Sequence, residues 1–123
     1  MQQLSPKVTI GTGFPPLNNV GAWAELIDVV EFDSTWAMIH YWFLTLTHGS
    51  LQLEIGIGVL DSEVRKWKSQ ATFQGGNELE FGDSGHTKYI PFNFKKEQRV
   101  SGRFAGINQS FGHNLEIQLQ IFS

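Results

Sequence analysis

Between Leu51 and Val59, large aliphatic residues alternate strictly with polar residues or glycine. Successive side chains of a β-strand point to opposite faces, so a two-residue period gives one apolar face and one polar face. The same pattern recurs from Leu115 to Ile121. Both segments are therefore predicted to be half-buried strands. The outward glycines of the first segment, Gly56 and Gly58, predict that another backbone or a partner approaches this strand closely.

Further segments of strand character are separated by turn sequences rich in glycine, asparagine and charged residues. Strands are predicted at 7–10, 64–73, 88–94 and 99–107, and a strand that is apolar on both faces at 36–47. Thirteen glycines, ten phenylalanines and only 17% charged residues also favour many short strands over long helices. The predicted fold is all-β, an antiparallel β-sandwich or jelly roll of about eight strands.

The first 21 residues differ in composition from the rest of the chain. They contain few large apolar residues apart from Phe14 and Leu17. Pro15 and Pro16 fix the backbone angle φ and cannot donate to a β-ladder. Residues 1–21 are therefore predicted to be an extended N-terminal arm, in which Phe14, Pro15, Pro16 and Leu17 lie on a protein surface. Residues 22–123 are predicted to form the sandwich domain.

The segment 36–47 presents apolar side chains in both directions, with Trp36 on one face and Tyr41 and Phe43 on the other. One face can pack in the core, but the second requires a covering loop or a partner. Aromatic residues exposed on a sheet are typical of protein interfaces, so Trp36, Tyr41 and Phe43 are candidate interface residues. Arg99 and Arg103 project outward from another strand and are further candidates, with a solvated face as the alternative.

Composition and motif spacing argue against most catalytic and nucleic-acid-binding classes. The sequence contains no cysteine, which removes disulfides, thiolate ligands and thiol nucleophiles. The formal net charge is −3 and the basic residues are scattered, so no nucleic-acid partner is expected. No apolar run is long enough to cross a bilayer, so no membrane partner is expected either.

Side chains that could carry chemistry lack the neighbours they would need. No two of the four histidines have the spacing of a metal-binding pair. Asp61 and Glu63 occupy a turn that could bind calcium, but the sequence supplies no opposing group, and capping of the turn is the simpler explanation. No enzyme activity, cofactor or metal is expected, and an enzyme on the same fold remains a third hypothesis.

Several segments carry a resemblance to known proteins. They are Gly21-Ala22-Trp23-Ala24-Glu25-Leu26, Leu53-Glu54-Ile55-Gly56-Ile57-Gly58, Asp61-Ser62-Glu63, and Tyr89-Ile90-Pro91-Phe92 followed by Arg99-Val100-Ser101-Gly102-Arg103. Together they resemble small virion proteins of tailed bacteriophages, which share a Gly-Thr-Trp opening, an Ile-Gly-x-Gly strand and a proline-containing segment ending in two arginines. The resemblance covers residues 21–106. The segment 93–97 departs from it, because it lacks the second proline and the glycine of the family pattern.

The resemblance implies a structural component of a phage particle, either a capsid decoration (cement) protein or a tail module. A decoration protein would sit on the capsid surface after assembly in the host cytoplasm. It would form a homo-oligomer, expected to be a trimer, and would bind the major capsid protein through the arm 1–21. The alternative is a tail or fibre module that recognises a host glycan, for which Trp67 or Tyr89 could stack on sugar rings.

Overall fold

A computed structural model of the 123-residue chain describes residues 1–11, 20–43, 49–73, 86–107 and 114–123. These ranges contain nine strands and no helix, which confirms the predicted all-β class. The strands are β1 (Gln2–Leu4), β2 (Val8–Gly11), β3 (Ala24–Ile27), β4 (Trp36–Phe43), β5 (Gly49–Ile57), β6 (Val64–Phe73), β7 (His86–Ile90), β8 (Val100–Ile107) and β9 (Asn114–Phe122).

The nine strands form two antiparallel sheets. Sheet A has the order β1-β9-β4-β7, and β2 pairs with β9 along the same edge as β1. Sheet B has the order β3-β8-β5-β6. The inward side chains of both sheets form one buried core, so the architecture is the predicted antiparallel sandwich.

The core follows the alternation of the central strands. Of the residues predicted to face inward, Leu53, Ile55 and Ile57 of β5 and all four of β9 are buried, whereas Val59, beyond the end of β5, is exposed. The side chain of Leu51 lies outside the described part of the structure. Each buried aliphatic side chain contributes about 1.5–3 kcal/mol through the apolar area it removes from water. The buried set comprises Ile10, Leu26, Ile27, Val30, Phe32, Ala37, Ile39, Tyr41, Leu53, Ile55, Ile57, Ile90, Phe94, Val100, Phe104, Leu115, Ile117, Leu119 and Ile121.

Residues 2–11 belong to the sheet instead of a free arm. β1 pairs with residues 120–122, and β2 pairs with residues 114–117. Ile10 is buried in the core. Pairing along β9 satisfies backbone groups that an unpaired strand edge would leave open, which is the physical reason for this arrangement. The sheet therefore begins at residue 2 and not at residue 22. The arm residues Phe14, Pro15, Pro16 and Leu17 lie outside the described ranges.

Ser5 bridges the gap between β1 and β2. Its N–H donates to the Leu119 carbonyl at 2.8 Å, and its hydroxyl accepts the Leu119 N–H at 2.8 Å. The same hydroxyl donates to the Pro6 carbonyl at 2.9 Å. Ser5 is buried, so water cannot replace these hydrogen bonds.

The variant Ser5→Ala is therefore expected to lower the free energy of unfolding by about 2 kcal/mol, because the Leu119 N–H loses its buried acceptor. Urea denaturation measures this change. Leu4→Ala is the matched control, because Leu4 is exposed in the neighbouring position and its truncation should cost less than about 0.5 kcal/mol. Equal denaturation midpoints for Ser5→Ala and the parent chain would contradict the expectation.

Candidate protein-interaction site

Aromatic side chains cluster on the outer face of sheet A. Trp36 stacks on Phe122, with ring centroids 4.1 Å apart and an interplanar angle of 11°. The Tyr89 ring lies 5.8 Å from that of Trp36 and is 59% exposed. Strand register produces this cluster, because Trp36 is paired with Phe122 and Met38 with Tyr89. Trp36, Met38, Tyr89 and Phe122 are called the aromatic face below.

Polar side chains beside the aromatic face are already hydrogen-bonded to one another. His40 Nδ1 lies 2.9 Å from Thr87 Oγ1, and His40 Nε2 lies 3.1 Å from Gln120 Oε1. Gln120 Nε2 donates to Gln2 Oε1 at 2.7 Å. Because these groups satisfy one another, covering them with a partner would cost little desolvation energy.

No carboxylate, lysine or arginine occupies the outward positions at this end of sheet A. By register and alternation, these positions are Gln2, Leu4, Trp36, Met38, His40, Thr87, Tyr89, Gln118, Gln120 and Phe122. Charged groups begin at the opposite end, where Lys7 Nζ lies 4.6 Å from the centroid of the Trp42 ring. Glu116 is paired with Trp42 in the same region. An aromatic surface depleted of charge has the composition of a protein-interface core.

The outer face of sheet B is a network of ion pairs. Glu54 is only 3% exposed and accepts hydrogen bonds from Arg103 at 3.3 Å and from Arg65 at 3.4 Å. The Arg103 guanidinium lies 4.1 Å from the centroid of the Trp23 ring. The same indole covers Gly56, where a Cβ atom would lie 2.8 Å from the ring. The close approach at this glycine is thus made by a side chain of the same chain, and not by another backbone or a partner as the sequence predicted.

Arg99 takes part in a second group of contacts on this face. Its Nε donates to Glu25 at 2.8 Å, and its Nη1 donates to Ser101 Oγ at 3.0 Å and to the Gly58 carbonyl at 3.2 Å. Arg99 and Arg103 therefore bind carboxylates of their own chain. They also lie on the sheet opposite Trp36, so the predicted interface residues do not form one surface.

The aromatic residues predicted for the interface divide between the two faces of β4. Trp36 points outward and joins the aromatic face. Tyr41 points inward and is 5% exposed, and this burial raises the pKa of its phenol. Tyr41 is therefore a core residue, which corrects its predicted placement at an interface. Phe43 belongs to β4, but its side chain lies outside the described part of the structure.

Three residues of the aromatic face, Met38, Tyr89 and Phe122, were absent from the predicted interface set. Phe122 could have been found, because it continues the outward alternation of β9 beyond Gln120. Tyr89 was considered only as a sugar-stacking residue. Its position beside Trp36 depends on the pairing of β4 with β7, which the sequence pattern does not reveal.

No metal-binding group emerges from the described residues, because no three His, Asp or Glu side chains are placed to hold one ion. Within the same residues, no helix has the length and apolar character needed to cross a membrane.

No known protein family and no curated protein matches the chain. Among solved structures, it is similar to a chain of infectious bursal disease virus Gt strain, with a TM-score of 0.44, 11% identity and coverage of 99% of this chain and 33% of that chain. A chain of infectious bursal disease virus Gx strain has a TM-score of 0.40 and 10% identity, with coverage of 98% of this chain and 32% of that chain. The chain is also similar to Eiger TNF from S. frugiperda, with a TM-score of 0.45 and 6% identity. That similarity covers 96% of this chain and 93% of the Eiger chain. The chain thus spans about a third of the length of the viral chains.

Proposed function

We propose that this chain is a structural protein of a virion, specifically a capsid decoration protein of a tailed bacteriophage. The aromatic face is the observation that carries the proposal. A sandwich that presents stacked rings, with no carboxylate, lysine or arginine at the described outward strand positions around them, is suited to burying that face against another protein. The resemblance of residues 21–106 to phage virion proteins supports the same class.

In this proposal, the chain assembles with itself and with the major capsid protein on the capsid surface. Burial of the aromatic face holds a homo-oligomer together, which we expect to be a trimer. The arm sequence Phe14-Pro15-Pro16-Leu17 is the candidate capsid contact. Neither nucleic acid nor a membrane is a partner in this proposal, and no catalytic step is part of it.

The variant Tyr89→Lys tests the oligomer interface. An ammonium group buried among Trp36, Met38 and Phe122 would lose its hydration without gaining a carboxylate partner. We expect self-association to weaken by at least about 100-fold, which corresponds to about 2.7 kcal/mol. Analytical ultracentrifugation measures the size of the chain, first alone and then with capsids that lack it.

The matched control is Val64→Lys, which adds the same charge at a similarly exposed position in sheet B. It should oligomerise like the parent chain. A parent chain that is monomeric and ignores capsids would overturn the proposal. A Tyr89→Lys variant that assembles as well as Val64→Lys would show that the aromatic face is not the interface.

A glycan-binding tail module is the second candidate, and the exposed Tyr89 ring on the same outer face as Gln120 and His40 favours it. An aromatic ring next to polar side chains can stack on a sugar and bind its hydroxyls. Trp67, the other predicted sugar-stacking residue, is partly buried against the core. Deleting the gene separates the candidates, because loss of head stability under heat indicates decoration, whereas intact heads that fail to adsorb indicate the tail.

A further inference from the structure

An open pocket of about 330 Å³ lies beside the turn between β5 and β6, on the sheet opposite the aromatic face. Its size is sufficient for one long side chain or a comparable small ligand. The ion pairs of Glu54, Arg103 and Arg99 described above adjoin it. The pocket is lined by Gly21, Ala22, Trp23, Asp61, Glu63 and Arg103.

Glu63 contributes a buried charge with unused hydrogen-bonding capacity. Its side chain is 1% exposed, and neither carboxylate oxygen accepts a hydrogen bond from the described residues. The cation facing it is Arg99 Nη1, 3.5 Å from Oε2. Both N–H groups of that nitrogen already donate elsewhere, to Ser101 and Gly58. Arg99 therefore provides charge but no hydrogen bond, and a buried acceptor left in this state is unfavourable.

Asp61 adds a second carboxylate to the pocket wall. It lies in a turn closed by the Ser62 N–H donating to the Val59 carbonyl at 3.0 Å, and its own φ is 65°. Its side chain is exposed, and no described residue pairs with it. The one guanidinium of the pocket, Arg103, is bound to Glu54. The pocket therefore presents one exposed carboxylate, Asp61, that no described residue pairs with, and one buried carboxylate, Glu63, whose charge Arg99 balances without a hydrogen bond.

We infer that this pocket binds the cationic end of a lysine or arginine side chain presented by a protein partner. The exposed Asp61 carboxylate supplies the opposite charge, and the Glu63 carboxylate supplies buried oxygens that accept no hydrogen bond from the described residues. The Trp23 ring, on which the Arg103 guanidinium already lies, forms part of the pocket wall. Val59 and Leu60 are 69% and 64% exposed at the tip of the same turn, where they can contact the apolar surroundings of that side chain. The identification of the partner as a capsid subunit rests on the proposed function.

The probes are Nα-acetyl-lysine amide and Nα-acetyl-arginine amide, titrated at low salt into the isotope-labelled full chain and followed by NMR. We expect the Trp23 indole signal to shift, with half-saturation at about 1–10 mM. The neutral Nα-acetyl-norleucine amide, which has an apolar chain and no charge, should leave it unchanged. Asp61→Asn should weaken binding about fivefold, because one exposed charge near the pocket is lost. Ala22→Phe should abolish binding by filling the pocket.

Asp28→Asn is the matched control, since it removes an exposed carboxylate elsewhere and should bind like the parent. The inference is overturned if neither cationic probe shifts the Trp23 signal at about 50 mM, well above the expected half-saturation. It is equally overturned if Asp61→Asn and Ala22→Phe bind like Asp28→Asn. Ala22 is exposed, so its replacement is a safer test than a change of the buried Glu63.

Capsid co-sedimentation separates this inference from the proposed function. If the parent chain binds capsids and Asp61→Asn and Ala22→Phe bind equally well, the pocket does not contact the capsid and that part of the inference fails. If the parent chain does not bind capsids but both probes shift Trp23, the proposed function fails while the pocket's cation preference is supported.

Discussion

Phe94→Ala is expected to lower the free energy of unfolding by about 4 kcal/mol. Phe94 is fully buried in the segment between β7 and β8, and its ring meets that of Phe92 edge-on at 5.0 Å. Removing the ring deletes apolar contacts and leaves a cavity. A domain of this size is stable by about 5–15 kcal/mol, so the variant would retain only a small margin.

The backbone around Phe94 is held in place, which prevents it from collapsing into that cavity. The Phe94 N–H donates to Ser34 Oγ at 2.8 Å, and the Ser34 N–H donates to the Phe94 carbonyl at 2.8 Å. The Lys96 N–H donates to Asp33 Oδ1 at 2.9 Å. The cost of a core truncation depends on how well the site can relax, so we do not expect relaxation to reduce the loss much below about 4 kcal/mol.

Urea denaturation followed by tryptophan fluorescence measures the loss. Phe92→Ala is the matched control, because Phe92 has the same side chain but is only partly buried against the core. We expect it to cost about 1–2 kcal/mol. If the two variants were equally stable, Phe94 would not occupy the central packing position described for it.

Alternation predicted the central strands closely because it reports directly which face each side chain occupies. The strand predicted at 64–73 is β6 with the same bounds, and the one predicted at 99–107 differs from β8 by one residue. The strand predicted at 88–94 instead ends at Ile90. Pro91 has no N–H to donate, and the Phe92 N–H turns back to the Ile90 carbonyl at 2.9 Å.

Contacts between distant segments could not be predicted from alternation. Arg103 points outward, as predicted. An outward side chain is not necessarily available to a partner, however, because the strand register places Glu54 opposite Arg103 and the two form an ion pair. Similarly, the sequence of β4 does not show which of its two apolar faces packs in the core. Both were compatible with an interface, and only the packing of sheet B against sheet A shows that Tyr41 belongs to the core.

β1 is the clearest case of a strand that depends on a segment distant in the sequence of the same chain. The sequence Gln2-Gln3-Leu4 has no apolar period, yet it pairs with residues 120–122. Gln3 fixes it further, since its Nε2 donates to the Val29 carbonyl at 3.0 Å and its Oε1 accepts the Glu31 N–H at 2.9 Å. These hydrogen bonds connect β1 to the segment after β3, which no local pattern could indicate.

Deleting residues 1–11 is expected to abolish the stable fold. The deletion removes both strands that pair with the outer edge of β9. Loss of the buried Ile10 side chain costs about 2–3 kcal/mol, and loss of the hydrogen bonds of Ser5 costs about 2 kcal/mol more. Their sum approaches the total stability of a small domain. The exposed edge of β9 would also favour aggregation.

Circular dichroism melting and size-exclusion chromatography of the truncated chain test this expectation. A synthetic peptide of residues 1–11 should restore the melting transition by adding its strands back to β9, whereas a scrambled peptide of the same composition should not. A free N-terminal arm and an N-terminus paired to β9 predict opposite results in this experiment. A free arm contributes nothing to the core, so a truncated chain that melts at the same temperature as the parent would show that residues 1–11 are an arm and not part of the sandwich.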